Sequence, residues 1–541
     1  MNSQKSGCGC LPIMGLITAL AIGGGYVYQK GWHQLLFSRS LTPLTGATVI
    51  PDEAVMTSFI STNSKHWQQL EKLGIEQTPK VIEQVTTDIE KELSASNINY
   101  RNDLESWLGN AMLAVVPETQ SPGEQNLLVV LGIKNPINAY KFLKKVQNNE
   151  GEALESVNYK GIKINLITNS QGNQNNLALL GNKIVISNET ATVKQAIDTF
   201  KGEPSFASDA ENQAVLKQPL KLKNNLVNVY LPNYDRLLVS NLEEPVSKEK
   251  LAHLQPVESV VVGIGVSEKE LKLQSFTTLN PNLKLPKYQP VKNKIASNFP
   301  EQTIAFINSQ GINTFWTTLV TISEEDKDFK QAIDGMRVST RWLTGLDLDE
   351  DVFGWMDGEF AIGIVPTKQV MIPELSLKSG LAFILESSDR DTAENTLNAI
   401  NNQLQQQVGL VSQTKQINKQ TVTQLSVPYT NVDVSYGWLD NNNLLLTVGN
   451  NVFESMDSSS TSSLQNSSNF KQLAQKFPNK NLSYFYLDME KALAEIKQIS
   501  ELYLDNDSES MVILNSIQSI GSVSKMADAN TTKTELIVLF K

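Results

Sequence analysis

Residues 51–67 read PDEAVMTSFISTNSKHW, and residues 300–316 read PEQTIAFINSQGINTFW. Pro51 and Pro300 stand 249 positions apart, and so do Trp67 and Trp316. A chain that repeats one order of proline, acid, apolar run and tryptophan at one spacing is expected to build the same unit twice.

The pairing continues downstream. DLESWLGNAMLAVVP (103–117) faces DVFGWMDGEFAIGIVP (351–366), which sets Trp107 against Trp355 and Pro117 against Pro366. NLLVVLGIKNPINAYKFLKKV (126–146) faces GLAFILESSDRDTAENTLNAI (380–400), and NNLVNVYLPNYDRLL (224–238) faces KNLSYFYLDMEKAL (480–493), with Tyr230 opposite Tyr486. Short apolar runs such as LLVVLGI (127–133) and IVIS (184–187) have strand length. Asn135-Pro136 predicts a capped helix start, and Asp389 is its counterpart. Ile137, Tyr140, Leu143 and Val146 then recur at helical spacing, as do Ala393, Leu397, Ile400 and Leu404. GLVSQTKQINKQTVTQLSVP (409–428) reads as an antiparallel hairpin. DSSSTSSLQNSSN (457–469) reads as a polar loop with no counterpart in the first copy.

The fold class expected is therefore α+β: an N-terminal transmembrane helix, then two tandem homologous domains, each a mainly antiparallel sheet backed by helices. The boundaries are a tail at 1–10, an anchor at 11–28, a linker at 29–47, repeats at 48–280 and 297–541, and a Pro-rich connector at 281–296. Residues 11–28, LPIMGLITALAIGGGYVY, carry no charge, and Tyr26, Tyr28 and Trp32 mark an interfacial belt. An uncleaved anchor fits this better than a cleaved signal peptide. Lys5 lies on one side of the run and Lys30 and Arg39 on the other, so charge leaves the orientation open.

Both cysteines, Cys8 and Cys10, precede the apolar run. The body can form no disulfide and tolerates an oxidising compartment, which leans toward export to a periplasm or lumen. A net charge of −11 argues against nucleic-acid binding, which needs Lys and Arg for the phosphates. Three scattered histidines (His33, His66, His253) weigh against histidine metal or acid–base chemistry.

The apolar N-terminal run, the Pro-acid-apolar entry to Trp67, and WLG followed by LAVVP resemble the cyanobacterial family called domain of unknown function 3352. The resemblance covers nearly the whole body. It implies a membrane-anchored, exported protein, in a periplasm or thylakoid lumen, of unassigned activity. It supplies no catalytic residue.

Candidate sites are few. Asp347, Asp349 and Asp351 alternate within LDLDEDVFGWMDGE (346–359) like the opening of a calcium loop. The pattern breaks at Val352, where that loop needs glycine, and Glu359 falls one place late. Acids gathered at a helix start are the simpler reading. Pro51, Trp67, Trp107, Pro117, Pro300, Trp316, Trp355 and Pro366 are repeat markers, and the four tryptophans are expected in two equivalent cores. Ser-x-x-Lys at Ser247/Lys250 and Ser522/Lys525 lacks the companion motifs of serine enzymes and reads as coincidence. His66 reads as a helix-surface residue.

No cofactor motif occurs. The leading functional expectation is a membrane-anchored, non-enzymatic scaffold that engages a partner protein at the membrane surface. The alternative is a carrier of a lipid or pigment, and the third reading is a hydrolytic enzyme.

Overall fold

The computed structural model describes residues 41–73, 103–117, 125–146, 153–168, 174–234, 257–281, 289–291, 294–324, 327–367, 378–417, 419–426, 432–456, 462–500 and 509–541. The anchor expected at 11–28, Cys8, Cys10, His33, His253 and the Ser247/Lys250 pair lie outside the described residues.

The first series of elements comprises β1 (Met56–Ile60), α1 (Ser64–Glu71), β2 (Leu108–Pro117), β3 (Gln125–Ile133), α2 (Pro136–Val146), β4 (Ala153–Tyr159), β5 (Ile162–Thr168), β6 (Gln174–Leu180), β7 (Lys183–Ser187), α3 (Thr190–Lys201), α4 (Ala210–Leu216), β8 (Asn225–Leu231), β9 (Val257–Ser267) and β10 (Glu270–Leu279). The second comprises β11 (Ala305–Gln310), α5 (Ile312–Ser323), α6 (Lys327–Thr344), β12 (Glu359–Pro366), β13 (Ser379–Glu386), α7 (Arg390–Val408), β14 (Val411–Ile417), β15 (Gln420–Ser426), β16 (Asp433–Trp438), β17 (Asn443–Val448), α8 (Ser468–Ala474), β18 (Ser483–Asp488), α9 (Met489–Ser500), α10 (Glu509–Ser516), β19 (Ile517–Met526) and β20 (Thr531–Phe540).

The fold-class expectation needs correction. The twenty strands belong to one large antiparallel sheet rather than to a separate sheet in each repeat. Periodicity reports which face of a strand is buried. The free N–H and C=O groups along a strand edge leave no mark in the sequence, so the number of sheets could not be read there. Among the described residues no helix is long and apolar enough to cross a membrane. The two longest explain why: α7 is dominated by Asn and Gln, and α6 carries Lys, Asp and Arg along its length.

Two compact units divide the contacts. The second runs from Leu279 to Lys541 and includes Lys269–Leu273. Hydrogen-bonded strands in the first unit follow the order β9-β8-β1-β2-β3-β7-β6-β5-β4. In the second the order is β19-β18-β11-β12-β13-β17-β16-β15-β14. Position for position, these are the same path.

Period-two alternation sorts side chains between the faces. In the first unit Met112, Ala114 and Val116 of β2, with Leu128 and Val130 of β3, pack under α3 and α4 against Val193, Ile197 and Val215. Their neighbours Ala111, Val129 and Leu131 turn the other way, toward Trp107 and Ala139 of α2. The second unit repeats the arrangement: Ala361, Val365, Ala382 and Ile384 on one face, and Trp355, Leu385 and Ala393 of α7 on the other. Both α2 and α7 start as expected, with Asn135 Oδ1 accepting from Asn138 N at 3.1 Å and Asp389 Oδ1 from Thr392 N at 3.0 Å.

Candidate functional site

A half-open cavity of about 450 Å³ lies in the second unit, between α8 and the β11–β18 pair. Its elements are placed by short-range chemistry. Ser463 bridges Pro300, and Leu464 N donates to Phe299 O at 2.8 Å, which delivers the chain to the start of α8. Phe470 and Leu473, three residues apart, turn to the sheet and are buried. After Phe477 and Pro478 the chain returns to β18 through Asn481, whose carbonyl accepts from Val291 N at 2.8 Å.

Four rings form the apolar part of the wall, and amide side chains with Lys471 form much of the rest. Tyr484 of β18 meets Phe470 at 5.3 Å and Phe477 at 5.7 Å, the latter pair edge to face at 87°. Phe306 of β11 lies 6.2 Å from Phe470 and 5.1 Å from Phe299. Such pairs contribute about 0.5–1.5 kcal/mol each beyond area burial. Gly363 makes the Phe299 position possible, because a Cβ there would stand 2.3 Å from the ring.

Two polar atoms in this apolar setting lack partners among the described residues: the Tyr484 hydroxyl and Asn481 Oδ1. Both residues line the cavity, and they are only 4% and 2% exposed, respectively. Leaving such an atom unpaired costs about 1–3 kcal/mol. Burial pushes the Tyr484 hydroxyl well above the ordinary tyrosine range, so it stays protonated and available as a donor. Tyr486, two residues on, differs: its hydroxyl donates to Asp488 Oδ2 at 3.1 Å, and burial followed by the Asp488 charge pushes it up. The Asn481 amide already donates to Pro478 O at 3.3 Å, leaving its oxygen as the open acceptor. Lys471 is the only charged side chain among the described lining residues.

Strand register shows where the two units diverge. Thr57 opposes Tyr230, and Phe306 opposes Tyr486. One rung further, Phe59 faces Asn228 in the first unit, while Asn308 faces Tyr484 in the second. The aromatic and the asparagine have changed strands. Tyr230 pairs with Val261 and Asn228 with Gly263, whereas Tyr486 pairs with Gly521 and Tyr484 with Val523. Glycine and valine have traded places too. A Cβ on Gly263 would strike Leu220 and Leu222, and a Cβ on Gly521 would meet Phe477 at 3.0 Å. In the first unit leucines fill this side of the sheet; in the second, a ring lies over it. Thr57 Oγ1 and Asn228 Oδ1 also lack partners among the described residues, so orphaned polar atoms occur in both units. The aromatic walls are particular to the second.

The residues singled out in sequence fall elsewhere. Asp347 caps a π-helical turn (Leu348–Phe353), accepting from Asp349 N at 2.9 Å and Glu350 N at 3.1 Å, and pairs with Arg341. Asp349 accepts from Trp316 Nε1 at 2.5 Å and from Arg337 Nε at 2.7 Å. Asp351 Oδ2 accepts from Asp347 N at 2.8 Å. The three carboxylates hold protein donors and tie α5, α6 and the π-turn together. Trp107 and Trp355 are equivalent: each is buried, and each indole donates to the carbonyl four residues earlier, at 2.7 Å to Asp103 and 3.1 Å to Asp351. Trp67 and Trp316 are not equivalent. Trp316 is buried and stacks on Phe353 at 4.7 Å, whereas half-buried Trp67 donates to Ser61 O at 2.7 Å, so the expectation of four matching core tryptophans is corrected.

Pro51 and Pro300 sit in matching bridges, to Ser205 and Ser463, and Pro117 and Pro366 end β2 and β12. That bridge gives Ser463 a counterpart, Ser205, in the first unit, while residues 457–461 of the expected polar loop lie outside the described residues. Ser522 and Lys525, three apart on β19, point to opposite faces of the sheet. His66 is tethered rather than free: Nδ1 lies 3.1 Å from Asn225 O, which makes it the donor, and Nε2 accepts from Asn63 at 3.1 Å. It borders a polar cleft of about 440 Å³ with Glu105 and Lys134.

Sequence reasoning missed Phe306, Phe470, Phe477, Asn481 and Tyr484. The signal lay in the alignment of NLVNVYL (225–231) with NLSYFYL (481–487), where Asn228 stands against Tyr484.

Comparison with known proteins adds little about function. No curated protein matches the chain. Two crystal forms of TP0453, forms III and IV, are similar over 44% of this chain and 82% of theirs, at 9% and 10% identity and TM-scores of 0.26 and 0.25. A likeness that slight carries no argument here. The family described as protein of unknown function DUF3352 matches residues 12–540, and the chain belongs to that family.

Proposed function

We propose that the protein is a non-enzymatic binding protein whose second unit holds a small, largely apolar molecule in the cavity under α8. One observation carries this reading: Phe306, Phe470, Phe477 and Tyr484 line a half-open space of about 450 Å³ with two buried polar atoms left unpartnered among the described residues. That volume lies within the usual range for ligand sites, roughly 300–1,000 Å³, and an apolar lining with a few polar groups is their usual composition. A ligand would bury the rings further, at about 25 cal/mol per Å² of apolar area. It would also offer the orphaned atoms the partners that the fold withholds. Among the described residues the cavity brings together no nucleophile and base, which favours holding over turnover.

Organic extraction of the purified chain, followed by mass spectrometry, tests the proposal. Ala474 lines the cavity from α8, and Ala474→Phe should fill it. The expected result is a defined small molecule from the native chain and its loss from the folded variant. Equal recovery from both would count against the cavity.

A second reading rests on a different surface. Met336, Val338, Trp342 and Leu343 of α6 are exposed, Trp342 to 82%. A protein partner could cover them. In that case Trp342→Glu should abolish a cross-link to one defined protein and leave ligand recovery unchanged.

A further inference from the structure

Resting on the ligand-binding reading, we infer that the cavity selects a ring-bearing anion: a flat apolar body, an acidic group at the mouth beside Lys471, and a hydroxyl or amide at the buried end beside Tyr484 and Asn481.

Three observations converge on that chemistry. The first is charge. Among the described lining residues there is no carboxylate, and exposed Lys471 supplies the one formal charge. Its side chain has no acidic partner among the described residues. A cationic ligand would meet a like charge at the mouth and nothing to neutralise it inside. An anion finds its counter-charge where water still reaches, so the acid need not be desolvated.

The second is shape. Phe470 and Phe477 each present a ring within 6 Å of the Tyr484 ring. Rigid aromatic walls favour a flat body, which stacks and loses little conformational freedom, over a flexible acyl chain.

The third is the pair of orphaned atoms. The Tyr484 hydroxyl can donate, and Asn481 Oδ1 can only accept. A ligand group that both accepts and donates, such as a hydroxyl or an amide, answers both. A hydrocarbon end answers neither and would seal two unpaired polar atoms beneath it.

Calorimetric titration of the full chain with three probes tests this: 6-hydroxynaphthalene-2-sulfonate, naphthalene-2-sulfonate and 2-naphthol. The first should bind about tenfold tighter than either of the others, the step expected of one charge-assisted or one buried hydrogen bond. Lys471→Gln should erase its advantage over 2-naphthol, and Tyr484→Phe its advantage over naphthalene-2-sulfonate. Lys471 is exposed, so its replacement should leave the fold intact, and unchanged binding of 2-naphthol would show that it has. Tyr484→Phe leaves no orphaned hydroxyl behind and should not weaken the unliganded chain. If all three probes bind alike and Ala474→Phe blocks them all, the ligand class proposed here is wrong while the cavity stands. If none binds and nothing is extracted from the native chain, both proposals fall.

Discussion

Asp349 accepts from three N–H groups: Trp316 Nε1 and Arg337 Nη2 on one oxygen, Arg337 Nε on the other. A calcium ion would need those lone pairs, and they are already occupied. The alternate acids that resembled an ion loop are better understood as donor-holding carboxylates at a helix start. The Arg337 hydrogen bonds, followed by opposing burial and then the Trp316 bond, set the balance, and the Asp349 carboxyl ends below its ordinary value. The linkage sign follows. A carboxyl depressed in the folded state adds stability above its unfolded value, about 3.9, and loses it as pH falls through the folded value. Asp349→Asn should therefore melt below the native chain at pH 6–7, and the gap should close as pH falls under about 4. A gap that is constant from pH 7 to 3 would show that the charge plays no part. The same residue logic separates the tryptophans: Trp107 is fully buried and hydrogen-bonded, whereas Trp67 is half-buried. Trp107→Ala should cost about 3–5 kcal/mol by denaturant unfolding, and Trp67→Ala distinctly less.

At the scale of elements, α2 and α7 show what a cap contributes. Asn135 and Asp389 each bond the N–H three residues on, and each follows a strand, β3 or β13, buried on both faces. Asn135→Ala and Asp389→Ala should each cost about 1 kcal/mol. Because the caps stand in different units with no shared partner, the double variant should cost about the sum. These starts were legible because capping is local: the side chain and the N–H it satisfies lie within one turn. Strands such as LLVVLGI were legible for a similar reason, an apolar run of strand length bounded by turns. The hairpin of β14 and β15 was legible too, since its two strands are adjacent in sequence. The pairing of β3 with β7 was not. It brings together residues more than fifty apart across an intervening helix and three strands, and no local pattern records it. The equivalence of Ser205 and Ser463 was not legible, because it runs through a backbone bridge, which demands no similarity of side chain. The cavity was illegible for a related reason. Phe470, Tyr484 and Asn481 acquire their meaning from which rung faces which, and the sequence presents them as ordinary core residues.

On the scale of the whole molecule, duplication gives each unit the same strand path, and divergence then gives them different interiors. Asn212 and Phe470 occupy the third position of α4 and α8, and Asn228 and Tyr484 the same rung of β8 and β18. At these two positions the first unit places amides where the second places rings. Ligand affinity that rests on aromatic walls should accordingly arise once per chain rather than twice. Titration with 6-hydroxynaphthalene-2-sulfonate should saturate at one equivalent. Two equal sites would mean that the shared strand path, not the exchanged side chains, creates the binding space. Gly521 offers the sharper test of the same idea, since the first unit has Val261 at that place. A Cβ at Gly521 already crowds Phe477 and Leu473 at 3.0 and 3.1 Å, and valine would push the Phe477 ring toward the cavity. Gly521→Val should lower probe affinity by about tenfold or more, equivalent to roughly 1.4 kcal/mol, while the chain still unfolds cooperatively. Retained affinity in that variant would show that Phe477 does not shape the site, and the account of one unit specialised by a traded glycine would have to be abandoned.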